Sequence, residues 1–326
     1  MNSTGRLFRV SLYGESHGPA VGIVLDGVPA GILLSAEDFT HDLTRRKPGR
    51  SGTTTRIEDD IPIILSGVYQ GKTTGAPIHI SFENKNVRSA DYNSFNEQPR
   101  PGHADFTSRV KFSGFNDPRG GGHFSGRLTL CLVAAGVVAK KCIPEITFQS
   151  HVTEAGGMTD IESALEDALK KGDSIGGVVE CIVSQIPVGI GEPFFDSLES
   201  VIAHLAFSIP AVKGIEFGSG FSASRMTGSQ HNDAFITREG KTQTNHSGGI
   251  SGGISNGNDL IVRLAVKPTS STPQSQNTLN FLSGKMENLQ IQGRHDLCIA
   301  LRVPVVLEAI IAIGLADLCL IHGKSG

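Results

Sequence analysis

Residues 119–127 read Arg-Gly-Gly-Gly-His-Phe-Ser-Gly-Arg. Two arginines enclose four glycines, a histidine and a serine, and an apolar run, Leu128 to Val138, follows at once. Glycine lets backbone N–H groups approach a ligand closely and adopt positive φ. A glycine-rich loop feeding a helix N-terminus aims those donors at an anion. Arginine adds a planar fork suited to phosphate or carboxylate, and histidine moves protons near neutral pH. The stretch therefore combines anion binding with proton chemistry. Read alone, it could also be a flexible surface loop.

Further polar, glycine-bearing loops carry similar groups. Gly14-Glu-Ser-His-Gly18 sets Ser16 and His17 beside small residues that leave them accessible, although a lone histidine is more often structural. Arg45-Arg-Lys-Pro-Gly-Arg50 places more positive charge before Pro-Gly than compensation of a helix C-terminus needs. Arg100-Pro-Gly-His-Ala-Asp105 holds His103 in a defined turn. The C-terminal half adds Gly248-Gly-Ile-Ser-Gly-Gly253, Lys267-Pro-Thr-Ser-Ser271 and Gly293-Arg-His-Asp296. There is no nucleophile elbow, no HExxH pair, Cys/His ladder or acidic metal cluster, and no Walker A sequence. Gly120–Gly126 lacks the strand-then-acid context of a dinucleotide fingerprint. The set suits an anionic substrate that loses a proton and an anionic leaving group, with no metal.

Alternating strand-like and helix-like segments must position these loops. Val21 to Asp26 is β-rich. Ser35, with Asp38 at the third helical position, caps a helix to about Arg46. Ile61 to Val68, Ala76 to Phe82, Gly177 to Ile186 and Asp259 to Val266 read as strands. Gly126 to Lys141 reads as a helix stopped by Pro144. Thr159 or Asp160 caps an amphipathic helix ending near Gly172, and Asp196 to Phe207 and Pro304 to Ile321 are further helices. Gly27-Val-Pro-Ala-Gly-Ile32 is echoed by Gln185-Ile-Pro-Val-Gly-Ile190, and Gly102-His-Ala-Asp105 by Gly293-Arg-His-Asp296. Two α+β halves related by duplication, about 1–145 and 173–326, are predicted within one domain spanning 1–326. Such a pseudo-two-fold would bring His103 and Asp296 into one site.

Bulk properties narrow the class. The chain has 326 residues, 38% of them apolar, and a net charge of −3. The negative charge and only 6% aromatic residues argue against nucleic-acid binding, even through the basic segment 44–57. The apolar stretch Val303 to Ile321 contains Glu308 and Asp317, so a buried helix is expected and not a membrane span. Five widely spaced cysteines, without a CxxC pair, point to reduced thiols and a cytoplasmic protein. No signal-peptide layout is visible at the N-terminus.

Taken in order, the motifs resemble the chorismate synthase family nearly end to end. The resemblance runs through Phe8-Arg9, Gly14–Gly18, Asp26–Gly31, Arg45-Arg46 with Pro48-Gly49, and Leu65–Val68. It continues through Arg100–Asp105, Arg119–Gly122, Gly172–Gly176, Gly228–Gln230, Lys267–Ser271 and Gly293–Asp296. It implies a β-α-β sandwich, usually a homotetramer, acting at the last common step of aromatic amino acid biosynthesis. There 5-enolpyruvylshikimate 3-phosphate loses phosphate and its C6 proton in a 1,4-anti elimination to give chorismate. Reduced FMN is required although no net redox change occurs, and NADPH is involved only indirectly, in reducing the flavin.

The resemblance also implies roles. His17 would be the acid for the leaving phosphate, His103 would protonate the reduced flavin, and Asp296 would assist proton removal through it. Ser16 and Ser125 would relay protons. Arg45, Arg46, Arg50, Arg100 and Arg127 would bind the substrate's phosphate and carboxylates. His123, Phe124, Ser125, Pro210, Ala211, Gly252, Lys267, Pro268, Thr269, Ser270, Ser271 and Arg294 would hold the flavin. The chain departs from the commoner pattern in three places. His123-Phe124 stands where many members have Arg-Ser, Pro210 where many have Asn, and Gly52 where an arginine is frequent. A non-catalytic flavin- or phosphate-binding protein on the same scaffold is the alternative expectation.

Overall fold

Along Gly177–Ser184 and Leu260–Val266 buried residues alternate with more exposed ones, the pattern of strands that cover a core with one face. The structure, a computed structural model, describes residues 2–49, 51–54, 59–85, 95, 97–291 and 295–323. Strands β1 (Ser3–Thr4), β2 (Arg9–Gly14), β3 (Ala20–Asp26), β4 (Ile63–Ser66) and β7 (Ile78–Glu83) form a sheet in the order β1-β2-β3-β7-β4. The small β5–β6 hairpin (Val68–Tyr69, Lys72–Thr73) lies between β4 and β7 in sequence. A second sheet contains β8 (Thr147–Ala155), β9 (Gly177–Ser184), β10 (Val212–Phe217) and β13 (Leu260–Val266), ordered β10-β13-β9-β8. Neighbouring strands in both are antiparallel. Two further hairpins are β11–β12 (Ile250–Ser251, Ile254–Ser255) and β14–β15 (Gln276–Leu279, Met286–Leu289).

The helices are α1 (Thr40–Arg46), α2 (Asp105–Lys111), α3 (Thr129–Cys142), α4 (Ile161–Lys171), α5 (Leu198–Ala206), α6 (Gly228–His231) and α7 (Pro304–Ile321). Helices α3 and α7 are buried along most of their lengths and pack on each other, α3 also touching β3 and α7 touching β8 and β9. This makes a β-α-β sandwich with one continuous core. Gly136 permits the central helix crossing, since a Cβ there would lie 2.4 Å from the Ala309 Cβ.

The duplication is visible in the topology. The series β2, β3, α1, β4, β7, α3 corresponds to β8, β9, α5, β10, β13, α7. The first sheet's β2-β3-β7-β4 then matches the second's β8-β9-β13-β10. The second series begins at Thr147, upstream of residue 173, because the strand-forming stretch β8 and the inserted helix α4 precede the echoed loop.

Local chemistry set several boundaries as expected. The Ser35 N–H donates to Asp38 Oδ2 at 2.7 Å, although a 3-10 turn, Ala36–Phe39, precedes the α-helix proper. Asp160 caps α4, which ends at a left-handed Gly172. The acids of the apolar α7 are both satisfied. Asp317 accepts the backbone N–H groups of Arg6, Leu7 and Phe8, and Glu308 enters an ion cluster. Among the described residues, the two runs apolar enough to cross a membrane, Arg119–Cys142 and Pro304–Ile321, are core elements with most of their apolar windows buried. All five cysteines are buried, and none forms a disulfide.

Candidate active site

The glycine loop folds as a turn in which three consecutive glycines take positive φ, Gly120 at 59°, Gly121 at 80° and Gly122 at 54°. Side chains would oppose both this backbone and the neighbours it admits. A Cβ on Gly120 would clash with the His17 ring at 2.1 Å, whereas one on Gly121 would meet the His103 ring at an ordinary contact distance of 3.5 Å, so there the positive φ is the constraint. Gly122 O accepts from Ser16 N at 3.1 Å. One short loop thus fixes both histidine-bearing turns. Ser125 follows as an N-cap, its Oγ accepting the Arg127 N–H at 3.3 Å. A 3-10 turn, Gly126–Leu128, then leads into α3.

Two chambers meet along this loop and share Gly120, Ser125, Gly126, Thr129, Pro210 and Thr269 in their walls. The larger is about 620 Å³. Leu128, Leu132, Leu205, Ile310 and Ile313 give it apolar walls, and His103, His123, Phe124, Ala211 and Lys267–Ser271 line it too. Lys267 Nζ donates to Gly102 O at 2.9 Å and to Ser270 Oγ at 2.8 Å. Burial, and then the charge of Lys213, lower its pKa. The Ser174 hydroxyl donates to Thr269 O at 2.8 Å and Thr272 Oγ1 to Asp173 at 2.8 Å, so the Gly172–Gly176 motif braces the 267–272 loop. Ala211 holds φ 73° at the wall, and its carbonyl accepts the Lys267 N–H. Size, apolar lining and a lysine-serine rim fit a flat heterocycle with an anionic tail.

The smaller chamber, about 240 Å³, is ionic. Its wall includes Ser16, Arg46, Asp60, Arg127, Asp296 and Arg302. Arg46 Nε donates to Thr129 Oγ1 at 2.9 Å and Nη2 to Gly126 O at 3.1 Å. Its pKa is lowered to about 9, first by burial and then by the charge of Arg302, while Asp60 opposes the shift. Asp60 ion-pairs with Arg127 and lies 3.5 Å from Arg46. Asp296 accepts from Thr54 N at 2.9 Å and from Arg302 Nη1 at 3.2 Å. Arg302 Nε also donates to Arg46 O at 3.1 Å. The Asn84 amide donates to Glu15 O and Gly18 O and accepts from Arg127 Nε, coupling the His17 turn to the chamber. His103 lines the larger chamber and Asp296 the smaller, adjoining one.

Some expectations are corrected. Arg45 does not reach either chamber. It forks onto Glu308 at 2.8 and 2.6 Å, within a cluster that includes Asp42, Lys140 and Ser150. Successive helix positions point about 100° apart, so the Arg45-Arg46 doublet divides between a structural cluster and the site. Arg100 is buried in place of facing a ligand. It pairs with Asp105 through Nε at 2.8 Å and Nη2 at 2.9 Å and donates to Ser271 Oγ at 3.1 Å. Gly252 lies exposed at the β11–β12 turn and lines neither chamber. His17 is buried against Gly120. Arg50 and Arg294 lie outside the described residues.

Asp105 fixes the state of His103. Their separation, Nδ1 to Oδ1, is 2.6 Å. Burial favours the neutral carboxyl, but hydrogen bonds from Arg100 and His103 outweigh it and hold Asp105 well below the usual carboxylate range. His103 Nδ1–H donates to this carboxylate, which leaves Nε2 as the nitrogen open to exchange. Arg302, Asp60, Asn84 and His204 were not singled out from the sequence. Arg302 carried one local signal, six residues beyond Asp296 on the 3-10 turn Ile299–Arg302. The others become neighbours only through folding.

Known proteins share both sequence and shape with this chain. The family profile described as chorismate synthase matches residues 8–320. The chorismate synthase of Chitinophaga pinensis is 61% identical over 326 residues, covering 100% of this chain and 98% of that protein. That of Pyrococcus abyssi is 42% identical over 343 residues, with 96% of each covered. A crystal structure of chorismate synthase superposes with a TM-score of 0.75 at 28% identity, covering 98% of this chain and 93% of that one. Matched along its length by sequence and by fold, this chain belongs to the chorismate synthase family.

Proposed function

We propose that this chain converts 5-enolpyruvylshikimate 3-phosphate to chorismate with reduced FMN. The observation that carries this reading is the arginine-lined chamber opening onto an apolar chamber, with the glycine loop between them. The substrate carries one phosphate and two carboxylates, and Arg46, Arg127 and Arg302 supply the guanidinium groups to meet them. In the elimination the C–O bond to phosphate and the C6–H bond break and a new C=C bond forms, with no net oxidation. When bound, a reduced flavin supplies electron density to the allylic system and recovers it. His103, Phe124, Ala211 and Lys267–Ser271 would hold that group in the larger chamber.

The chain's own groups handle charge and protons. His17, buried behind Gly120 and Ser16 of the chamber wall, would pass a proton toward the leaving phosphate by way of the Ser16 hydroxyl. His103, its Nδ1 engaged by Asp105, would exchange a proton through Nε2. Asp296, which accepts from Thr54 N and Arg302 Nη1, would assist removal of the substrate proton through the bound flavin. Preorganised charge in this small chamber lowers the barrier by stabilising the developing phosphate dianion. Ser125 and Asp296 line one chamber, and both histidine turns pack against the same glycine loop, which favours catalysis over passive binding. In this reading the protein works in the cytoplasm, as a homotetramer, with flavin reduced by an external NADPH-dependent source.

Anaerobic incubation of the purified protein with substrate and chemically reduced FMN should release inorganic phosphate and chorismate in equal amounts. A parallel reaction with NADPH should need a separate flavin reductase. Absence of phosphate release with reduced FMN rejects the reading.

A further inference from the structure

Among the described residues of the ionic chamber, Asp60 is the carboxylate that faces two guanidinium groups, those of Arg46 and Arg127. Asp296 already balances Arg302 and takes the Thr54 N–H. Asp60 ion-pairs with Arg127 and approaches Arg46 at 3.5 Å, and its side chain is 2% exposed. Its backbone adopts φ 51°, a left-handed conformation that residues with a Cβ seldom take and that aspartate tolerates better than most. Beside it, Lys47 Nζ donates to Asp59 O at 2.6 Å, tying this turn to the residue after Arg46. The turn thus holds a carboxylate against cations that the proposed substrate would otherwise neutralise.

We propose that Asp60 is an internal counter-anion that sets the charge specificity of this chamber. The inference rests on the reading that the chamber receives an anionic substrate. With Arg46, Arg127 and Arg302 against Asp60 and Asp296, the net charge of these five groups is only about +1. A small anion such as free phosphate must compete with a carboxylate already in place. A ligand carrying several anionic groups on one frame engages the arginines together and outcompetes it, since only the first group bears the entropy of association. Asp60 therefore discriminates against inorganic phosphate, the leaving group of the proposed reaction, and keeps Arg46 and Arg127 oriented while the substrate is away.

The test is phosphate titration by calorimetry on the full chain at fixed ionic strength, comparing the wild type with Asp60→Asn, Asp60→Ser and Asp60→Glu. Each variant is first checked for native circular dichroism. The neutral variants should bind inorganic phosphate about tenfold more tightly, or better, and phosphate should raise their melting temperatures more than it raises that of the wild type. Asp60→Glu should show no such gain. Either folded neutral variant suffices. Unchanged or weaker phosphate binding in it overturns the proposal. Should neither fold, wild-type binding of pyrophosphate decides: affinity no greater than for phosphate overturns the proposal, and much tighter binding supports it. The readout is binding, so its failure is separable from failure of wild-type turnover, which tests the functional reading itself.

Discussion

The His17 ring lies so close to Gly120 that a Cβ built on that glycine would fall 2.1 Å from both Cε1 and Nδ1. The glycine also holds φ 59°, so two independent constraints forbid a side chain there. Its contribution to function is the placement of an imidazole on another element. Gly120→Ala should displace His17 and lower the rate of phosphate release by about 10² or more, as ångström-scale misplacement of a reacting group does. Native far-ultraviolet circular dichroism together with this loss would locate the effect in the site; an unchanged rate would refute the assigned contact.

His17 itself should separate from flavin binding. It lines neither chamber, so His17→Ala should reduce the rate roughly 10²–10⁴-fold, as expected for loss of a general acid, while a flavin titration changes little. A rate equal to that of the wild type would reject the acid role.

The adjacent arginines Arg45 and Arg46 should behave oppositely. Arg46→Ala should raise KM for the substrate with modest change in stability-independent folding signals. Arg45→Ala should leave KM nearly unchanged but destabilise the fold by about 2–3 kcal/mol, because the buried Glu308 keeps only Lys140 and Ser150 as partners. Denaturant unfolding and steady-state kinetics on both variants provide the comparison.

Acid should loosen the His103 turn. Asp105 has a depressed pKa in the folded state, whereas an unfolded aspartate titrates near about 4. As pH falls the unfolded chain takes the proton first, so stability from this carboxylate is complete above about pH 5 and is lost as pH drops toward the lower folded value. Melting temperatures measured from neutral to acid pH should fall accordingly. Asp105→Asn should flatten that acid-side slope, and an identical slope would contradict the role given to the pair.

Much of the scaffold was legible from local chemistry. The Ser35/Asp38 box, the Asp160 cap and the Gly172 stop each satisfy backbone groups within a few residues of themselves, and Pro304 removes a donor that the first helical turn leaves unpaired, so the chain need not be folded for their meaning to be clear. Strand β8 was harder to read, since its first six residues alternate between exposed and half-buried and only Ala155 at its end is buried, which offers little hydrophobic signal. Its place in the second sheet comes from pairing with β9.

For the site, the sequence by itself determined the kinds of group: arginines, histidines, hydroxyls and glycines in loops beside strands and helices. It also determined the internal echo, because a duplicated topology leaves matching turns. Only the tertiary structure decided which charges face a ligand. Arg45 and Arg46 are adjacent in sequence, yet helix phase sends one to Glu308 and the other to the chamber. Arg100 is taken up by Asp105, and Asp60 is brought from a separate turn to Arg46 and Arg127. Charge pairing depends on distance through space and on burial, and neither is fixed by position along the chain.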